Sequence, residues 1–523
     1  RDRRIYRHAL GCAEKVRRRL PCLHRIRRRR PEFRVIVASA TLDAEVFARY
    51  FDPAFGTADA TAAILSIPGT MHPVELAYAA APVRDYVTAA IDAVWSIHLR
   101  EPPGDVLVFM TGREEIDAAS QALADRVAQL PRGALTLHIL PLHAALSVGE
   151  QAAAFAPSPR GTRKVVVATN VAETSLTIDG IRYVVDTGYT KTRLIDAATG
   201  IDVLAVVPAS QASAAQRAGR AGRTAPGKCF RLYPEAQLAK QRVSDAPELV
   251  RCDVTPYVLQ LKALGIDNIA RFDFVPPAPP AALIARALEY LVCVQALDSE
   301  GRLQRLGERL AEAPLDPMMA RALLVAAQCG CADEMLSIAA MTAVASPFRA
   351  HEFGPTMDVA AEVGRRKFVA EEGDHLTLLN VYDAFVDPRI GQCSARWAAS
   401  HALDVSVLRR AQAIRAQLVR YATLHWQLPL QRMGDATRLR RCLAAGFFKN
   451  AARAMPDGTY QSVHGTALHI HPSSVLFTRR TAAWVVYGEL VHTSKPMIRD
   501  VCVVERDWLV EAAPHYYEKR QRY

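Results

Sequence analysis

The sequence predicts a multidomain protein: an α/β portion first, an α-helical portion next, a small β portion last. Three observations predict it. The chain has 523 residues, beyond what one hydrophobic core usually serves, so about three or four domains are expected. Up to about residue 233, short β-branched runs alternate with amphipathic helical patterns, as in a parallel sheet covered by helices. Beyond that, helical periodicity dominates to about Tyr421, and strand-like runs return from Arg441 onward.

The first strands are expected at residues 34–38, 105–109, 164–168 and 181–185, with helices at 85–98 and 113–129 between them. In parallel sheets the chemistry gathers at the carboxyl ends of the strands. Each run is indeed followed by a polar cluster: Ser39-Ala40-Thr41, Thr111-Gly112-Arg113, Thr169-Asn170 and Asp186-Thr187-Gly188. Residues 189–207 read as a long β-hairpin, two strand-like arms flanking Ala197-Ala198-Thr199-Gly200, where Gly supplies the turn. The run Pro276-Pro277-Ala278-Pro279-Pro280 is a stiff lead-in to the next helix rather than an SH3-type ligand. Asp316-Pro317 starts a helix, Asp as N-cap and Pro at N1, and Gly330 stops one. The last strands are expected at 464–470, 483–486 and 500–504, in a small β-barrel or sandwich.

Composition narrows the class. Half of the residues are apolar and 23% are charged, an ordinary globular balance. No apolar run reaches the ~18 residues of a membrane span, so a soluble protein without a membrane partner is expected. The opening Arg1-Asp2-Arg3-Arg4 has no initiator Met and no apolar h-region, which predicts no secretory leader and further sequence upstream. Ten cysteines contain no CxxC pair, so neither a zinc site nor a disulfide framework is expected, and a reducing compartment fits. His464, His469 and His471 have no companion cysteines or carboxylates and read as structural. The net charge of +12 is concentrated: residues 1–34 hold fourteen basic and three acidic residues, while the remainder holds 51 and 50. The runs Arg17–Arg19 and Arg27–Arg30 read as a solvated helix face before a dedicated RNA site.

Two strings carry chemistry. In Gln216-Arg217-Ala218-Gly219-Arg220-Ala221-Gly222-Arg223, arginines recur every three residues, and a helical turn would bring them near one face. Fork-shaped, permanently charged guanidinium suits the spread oxygens of a transferring phosphoryl group. The small residues between them let the backbone approach a neighbouring surface. The second string, residues 168–180, ends a buried strand in a loop rich in hydroxyls, an amide and carboxylates, groups suited to phosphate and ribose.

These strings resemble motifs VI and V of superfamily 2 helicases, specifically the DEAH-box RNA helicases. Ser39-Ala40-Thr41 resembles motif III, and residues 109–116 resemble motif IV. The resemblance continues through Arg366-Lys367-Phe368, residues 372–376, Gly446-Phe447-Phe448, His471-Pro472-Ser473 and residues 513–517, where it is nearest to the spliceosome-associated members. It implies a partial first RecA-like domain at residues 1–69, a complete second RecA-like domain with its β-hairpin at 70–233 and a winged helix at 234–312. A helical ratchet at 313–425 and an OB-fold at 426–523 would follow. The hairpin matches the family element placed near the duplex junction.

The resemblance also implies roles and partners. Gln216 would orient the attacking water, and Arg220 and Arg223 would touch the γ-phosphate. Ser175, Asp179 and Gly219 would line the nucleotide site. Phe155 would stack on the base or anchor its helix in the core. Thr111, Gly112, Thr169 and Asn170 would hold the backbone of single-stranded RNA, contacts that position without reading sequence. Ser39 and Thr41 would couple the two RecA-like domains. The implied ligands are ATP and Mg²⁺, the metal's ligands lying upstream of this chain. The implied partners are RNA, spliceosomal proteins or a G-patch-type activator, in the nucleus. The OB-like region would bind single strands, but Phe447, Phe448 and Tyr460 are expected in its core.

The sequence departs from the family in having neither GxxxxGK[ST] nor a DEAH box. Residues 5–11 resemble the helix that follows the DEAH box. The string Gly222–Cys229 imitates a P-loop, but Cys229 lacks a hydroxyl for Mg²⁺, Pro226 removes a backbone donor, and a strand-like run follows. It reads as a turn. The expected function is therefore that of an ATP-dependent, 3′-to-5′ RNA helicase carrying half of its ATP site, inactive in hydrolysis alone. The alternative is a natural RNA- and protein-binding fragment without motor activity, and the sequence upstream of Arg1 separates the two.

Overall fold

The computed structural model describes residues 30, 32–37, 44–67, 72–128, 135–159 (apart from 145 and 147), 161–174, 177–195, 202–348, 363–390 (apart from 365), 392–463, 465–478, 482–492 and 495–517. The chain divides into two units, each described by itself.

The first unit spans residues 1–194, 204–252 and 273–279. Its strands are β1 (Val74–Tyr78), β2 (Asp105–Phe109), β3 (Thr136–Leu142), β4 (Thr162–Ala168), β5 (Ile181–Asp186), β6 (Tyr189–Ile195), β7 (Asp202–Pro208) and β8 (Gly227–Arg231). Six of them form one sheet in the order β1-β8-β5-β2-β4-β3, parallel throughout. The helices are α1 (Ala44–Phe51), α2 (Tyr86–Arg100), α3 (Arg113–Val127), α4 (Val148–Phe155), α5 (Val171–Thr174) and α6 (Gln211–Gly219). Alternate residues of the central strands feed two cores. Val106, Val108, Val165, Val167 and Val185 meet Ile91, Val94, Ile116 and Leu123 of α2 and α3. On the other face Leu107, Phe109, Val166 and Val184 meet Ala154, Ala172 and Ala218 of α4, α5 and α6. Strands buried on both faces are apolar at every position, which is why β2, β4 and β5 stand out in the sequence.

The expected helices match α2 and α3, and Asp85 caps α2 by accepting from the amides of Val87 and Thr88. Arg34–Val37 corrects the expectation of a strand: no described strand pairs with it, and Ile36 stands 91% exposed. An apolar run without a ladder partner has nothing to make it a strand. The arms of the expected hairpin are β6 and β7, neighbours in one ladder; the turn at 197–200 lies outside the described residues. Gly222–Cys229 is a turn into β8. A Cβ at Gly222 would lie 2.6 Å from the His72 carbonyl oxygen, and one at Gly227 2.4 Å from that of Ala221. Close backbone packing, and not phosphate, explains these glycines.

The second unit holds residues 195–203, 253–272 and 280–523. Asp316 caps the helix Pro317–Gln328 through the Met318 amide at 2.8 Å, and Gly330, at φ +75°, ends it. The helix Ala332–Thr342 is buried at nine of its positions, and with Asp374–Val386 and Val405–Leu424 it builds a helical core around Met341, Phe385 and Leu408. Residues 441–447 correct the expected onset of strands, because they belong to the helix Ala436–Phe447. Its apolar positions recur at helical spacing: Leu439, Cys442, Leu443 and Phe447 are all buried. The strands follow as β9 (Ala451–Ala454), β10 (Tyr460–Ser462), β11 (Ala467–Ile470), β12 (Trp484–His492) and β13 (Pro496–Val503). Their pairings run β9–β10, β10–β11, β11–β13, β13–β12 and β12–β9, a closed five-stranded barrel. Phe447, Phe448 and Tyr460 are buried, as expected. Asp374 ties the helices to the barrel by accepting from the amides of Val475 and Val501, both at 2.8 Å.

Candidate functional site

The carboxyl ends of the parallel strands place the polar clusters on one edge of the sheet. Asp186 ends β5 with its side chain fully buried, where it accepts from Arg217 (2.7 Å), from the Tyr233 hydroxyl (2.7 Å) and from the Gly188 amide (2.9 Å). Arg217 comes from α6 and also binds Glu173 of α5, at 2.8 Å; Ser213 donates to the same carboxylate. The guanidinium lies over the Phe109 ring at the end of β2. Burial opposes the charge on Arg217, but the carboxylates of Asp186 and Glu173 more than offset it and hold the group protonated. Burial pushes the Glu173 carboxyl up despite Arg217. The network thus ties β2, β5, α5 and α6 together through charge-assisted hydrogen bonds.

The three arginines do not share a face, which corrects the reading from their spacing. Three residues advance a helix by about 300°, so successive arginines drift by about 60°. Arg217 turns into the protein. Arg220, at the end of α6, donates to the Glu173 carbonyl and is 6% exposed. Burial, and then Arg223, lower it to about 10, which leaves it charged at neutral pH. Arg223 lies past the helix end, exposed, and donates to Thr177 Oγ1 at 2.5 Å. Gln216 is half-buried one turn before Arg220, on its side of the helix, and Gly219 is the last residue of α6.

The segment from Glu173 to Gly180 runs from the carboxyl edge of the sheet back to the amino edge, where the Gly180 carbonyl accepts from the amide of Asp105 at the start of β2. It divides the expected residues into two groups. Thr169 and Asn170 follow β4, and Thr111 and Gly112 follow β2, at the carboxyl edge. Arg220, Arg223, Thr177 and the exposed Asp179 accompany the returning segment. Phe155, at the end of α4, packs partly buried against the core beneath. Ser175, Ser39 and Thr41 lie outside the described residues.

Thr111 is only 6% exposed, because its amide and hydroxyl donate to Glu115 at 2.9 and 2.8 Å. The Tyr86 hydroxyl donates to the same carboxylate. This side chain shapes the loop, and the accessible group is Gly112, where a Cβ would come within 3.6 Å of Lys191 Nζ on β6. Sequence reasoning passed over Lys191, Glu115, Glu173, Asp186 and Tyr233 as site residues. The strings 109–116 and 168–180 contained Glu115 and Glu173, and the polar cluster at 186–188 contained Asp186; nothing pointed to Lys191 or Tyr233. Glu173 and Asp186 are committed to Arg217, and among the described residues no three His, Cys, Asp or Glu side chains group so as to hold a metal ion. Guanidinium groups converging beside hydroxyls fit phosphate oxygens.

Three family models match the chain: the helicase conserved C-terminal domain over residues 89–225, the ratchet-like helicase associated domain over 316–378, and the oligonucleotide/oligosaccharide-binding fold over 439–516. The human protein named "Probable ATP-dependent RNA helicase DHX35" is 44% identical over 98% of this chain and 71% of its own length. Its Caenorhabditis elegans homolog is 41% identical over 94% of this chain and 66% of its own. The "Pre-mRNA-splicing factor ATP-dependent RNA helicase prp22" of Schizosaccharomyces pombe is 43% identical over 94% of this chain and 41% of its own length.

Proposed function

The chain belongs to the DEAH-box family of RNA helicases, and from that premise we propose that it supplies the second wall of an ATP site and a guide for single-stranded RNA. The activity would be ATP hydrolysis coupled to 3′-to-5′ movement on RNA and remodelling of RNA–protein complexes, in pre-mRNA splicing in the nucleus. In this reading residues 70–233 are the second RecA-like domain, 234–312 a winged helix, 313–425 the ratchet and 426–523 the OB-fold, with 1–69 the tail of a first RecA-like domain. A G-patch-type activator or spliceosomal proteins would be its partners.

The observation that carries this is the buried Asp186–Arg217–Glu173 network, which fixes the end of α6 so that Arg220 and Arg223 are held before substrate arrives. Preorganised charge needs no rearrangement as negative charge spreads over the transferring phosphoryl group. Arg220 and Arg223 take the γ-phosphate oxygens and Gln216 aligns the water. Asp179 and Ser175 meet the ribose or the metal-bound phosphate, Gly219 admits the nucleotide, and Phe155 stacks on the base or anchors its helix in the core. Mg²⁺ would neutralise the phosphates. Gly112, Thr169 and Asn170 hold RNA phosphates at the carboxyl edge while Thr111 shapes their loop, Ser39 and Thr41 couple the domains, and the β6–β7 hairpin stands at the duplex junction. Glu173, whose amide donates to the Asn170 carbonyl and whose own carbonyl accepts from Arg220, is the physical route by which one group responds to the other.

Neither GxxxxGK[ST] nor DEAH occurs in these 523 residues, which favours a second reading, an RNA- and protein-binding fragment without hydrolysis. ATPase turnover with and without single-stranded RNA tests both. The 523 residues alone are expected to show none. Fused behind a first RecA-like domain that bears GxxxxGK[ST] and DEAH, they are expected to show RNA-stimulated turnover that falls about a thousandfold in Arg220→Ala. Full turnover in that variant would overturn the role of Arg220, and no turnover in the intact fusion would favour the second reading.

A further inference from the structure

Away from this site, two thiols are held in contact. Cys331 and Cys442 are both fully buried, and their Sγ atoms lie 3.7 Å apart although 111 residues separate them. An αα corner builds the approach. The helix Pro317–Gln328 ends at Cys329, Gly330 turns with φ +75°, and the Cys331 amide returns to the Ala326 carbonyl at 2.9 Å. Cys331 then becomes the N-cap of Ala332–Thr342. The helix Ala436–Phe447 lies against this corner and presents Cys442 to it. Arg438 donates to the Cys329 carbonyl at 3.2 Å, and buried Glu334 accepts from the amides of Met433 and Gly434 at 2.8 Å.

The two thiols differ chemically. A helix N-terminus favours thiolate. Donation from Cys442 lowers the Cys331 thiol, with help from Arg438 and against burial, Glu334 and Asp435. The same contact, followed by burial, raises Cys442. Cys329 stands two residues before Cys331 at the same corner and is itself only half-buried, so small solutes reach it.

We infer that Cys331 and Cys442 form a reversible disulfide driven by hydrogen peroxide, with Cys329 as the thiol that peroxide meets first. The Cys329 thiolate attacks one peroxide oxygen, the O–O bond breaks, and sulfenic acid and one water result after protonation. The Cys442 sulfur displaces the sulfenic hydroxyl as a second water, giving a Cys329–Cys442 bond. The Cys331 thiolate attacks the Cys442 sulfur, that S–S bond breaks, and Cys329 leaves as thiolate to take up the proton Cys331 gave. Two thiols and one peroxide thus yield one disulfide and two waters. The Sγ atoms must close from 3.7 Å to about 2.05 Å, a small shift between adjoining helices. The bond clips the corner of the helical core to the helix that leads into the barrel, and a dithiol reductant reopens it. The inference is independent of the ATP reading.

The test uses the whole reduced chain, exposed to hydrogen peroxide, alkylated after denaturation and mapped by mass spectrometry without reductant. A peptide pair joining Cys331 to Cys442 is expected, together with a Tm rise of about 5 °C, and dithiothreitol reverses both. Cys329→Ser should slow bridging about tenfold without changing the product. Alkylated Cys331 and Cys442 beside an oxidised Cys329, or bridges only between molecules, would overturn the inference. Bridging at the unaltered rate in Cys329→Ser would overturn the entry route. Cys442→Ala should give no internal bridge; should that variant not fold, the map of the unsubstituted chain still decides.

Discussion

Replacing Arg217 by Ala removes the cation that bonds both carboxylates of a buried cluster. Arg217 is 1% exposed and Asp186 is 0% exposed, so water cannot take over the lost contacts. Asp186 would keep the Tyr233 hydroxyl and the Gly188 amide but lose its counter-charge, and Glu173 would keep Ser213. Breaking a buried pair in this way costs about 3–5 kcal/mol, mostly as the penalty on the carboxylate left behind. That penalty has a pH signature. An unpaired buried carboxyl titrates above its unfolded value, so the cost is present above that raised pKa and fades as pH falls through it. Urea unfolding followed by circular dichroism should therefore show a large loss at about pH 8 that narrows toward about pH 5. Arg217→Met combined with Asp186→Leu and Glu173→Gln should recover a large part of the loss, because no charge then lacks its partner. A cost below about 1 kcal/mol, or one that ignores pH, would refute the claim that the cluster is dry and ionised.

Two further predictions rest on single positions. Gly188 has φ +81°, and a Cβ there would sit 2.4 Å from Tyr233 Cδ1; Gly188→Ala should cost about 2–4 kcal/mol in the same unfolding assay. His375 is 1% exposed, and burial lowers its imidazole to about 4. The unfolded chain then binds the proton more readily, so stability contributed above about pH 6.5 is lost as pH falls toward 4, by about 3 kcal/mol. His471, lowered to about 4 by burial and then by Arg499, adds a similar slope. His375→Phe should remove about half of the combined pH dependence, and an unchanged slope would refute the assignment.

The elements legible in the sequence were those whose surroundings are uniform. β2, β4 and β5 lie inside the sheet and are apolar throughout, whereas β1 and β3, unsignalled in the sequence, are its two edges. An edge has one partner strand and tolerates residues such as Pro141 within β3. The run at 34–37 has strand composition without a described ladder, and 441–447 precede strands without being one. The α/β, helical and β character of successive portions was readable because period and turn chemistry are local. The residue strings of the site were readable because phosphate chemistry demands particular side chains at short spacing.

Sequence alone determined that arginines, a glutamine and glycines stand together at 216–223 and that strand ends nearby are polar. It could not decide which arginine faces a ligand, because spacing along a helix fixes relative angles and leaves open which angle meets the sheet. That was settled by Glu173 and Asp186, 44 and 31 positions away in the chain. A charge as deeply buried as that of Arg217 is stable where opposite charge and hydrogen-bond partners await it. The tertiary structure put those carboxylates under Arg217 alone, making it a support and leaving Arg220 and Arg223 at the returning segment.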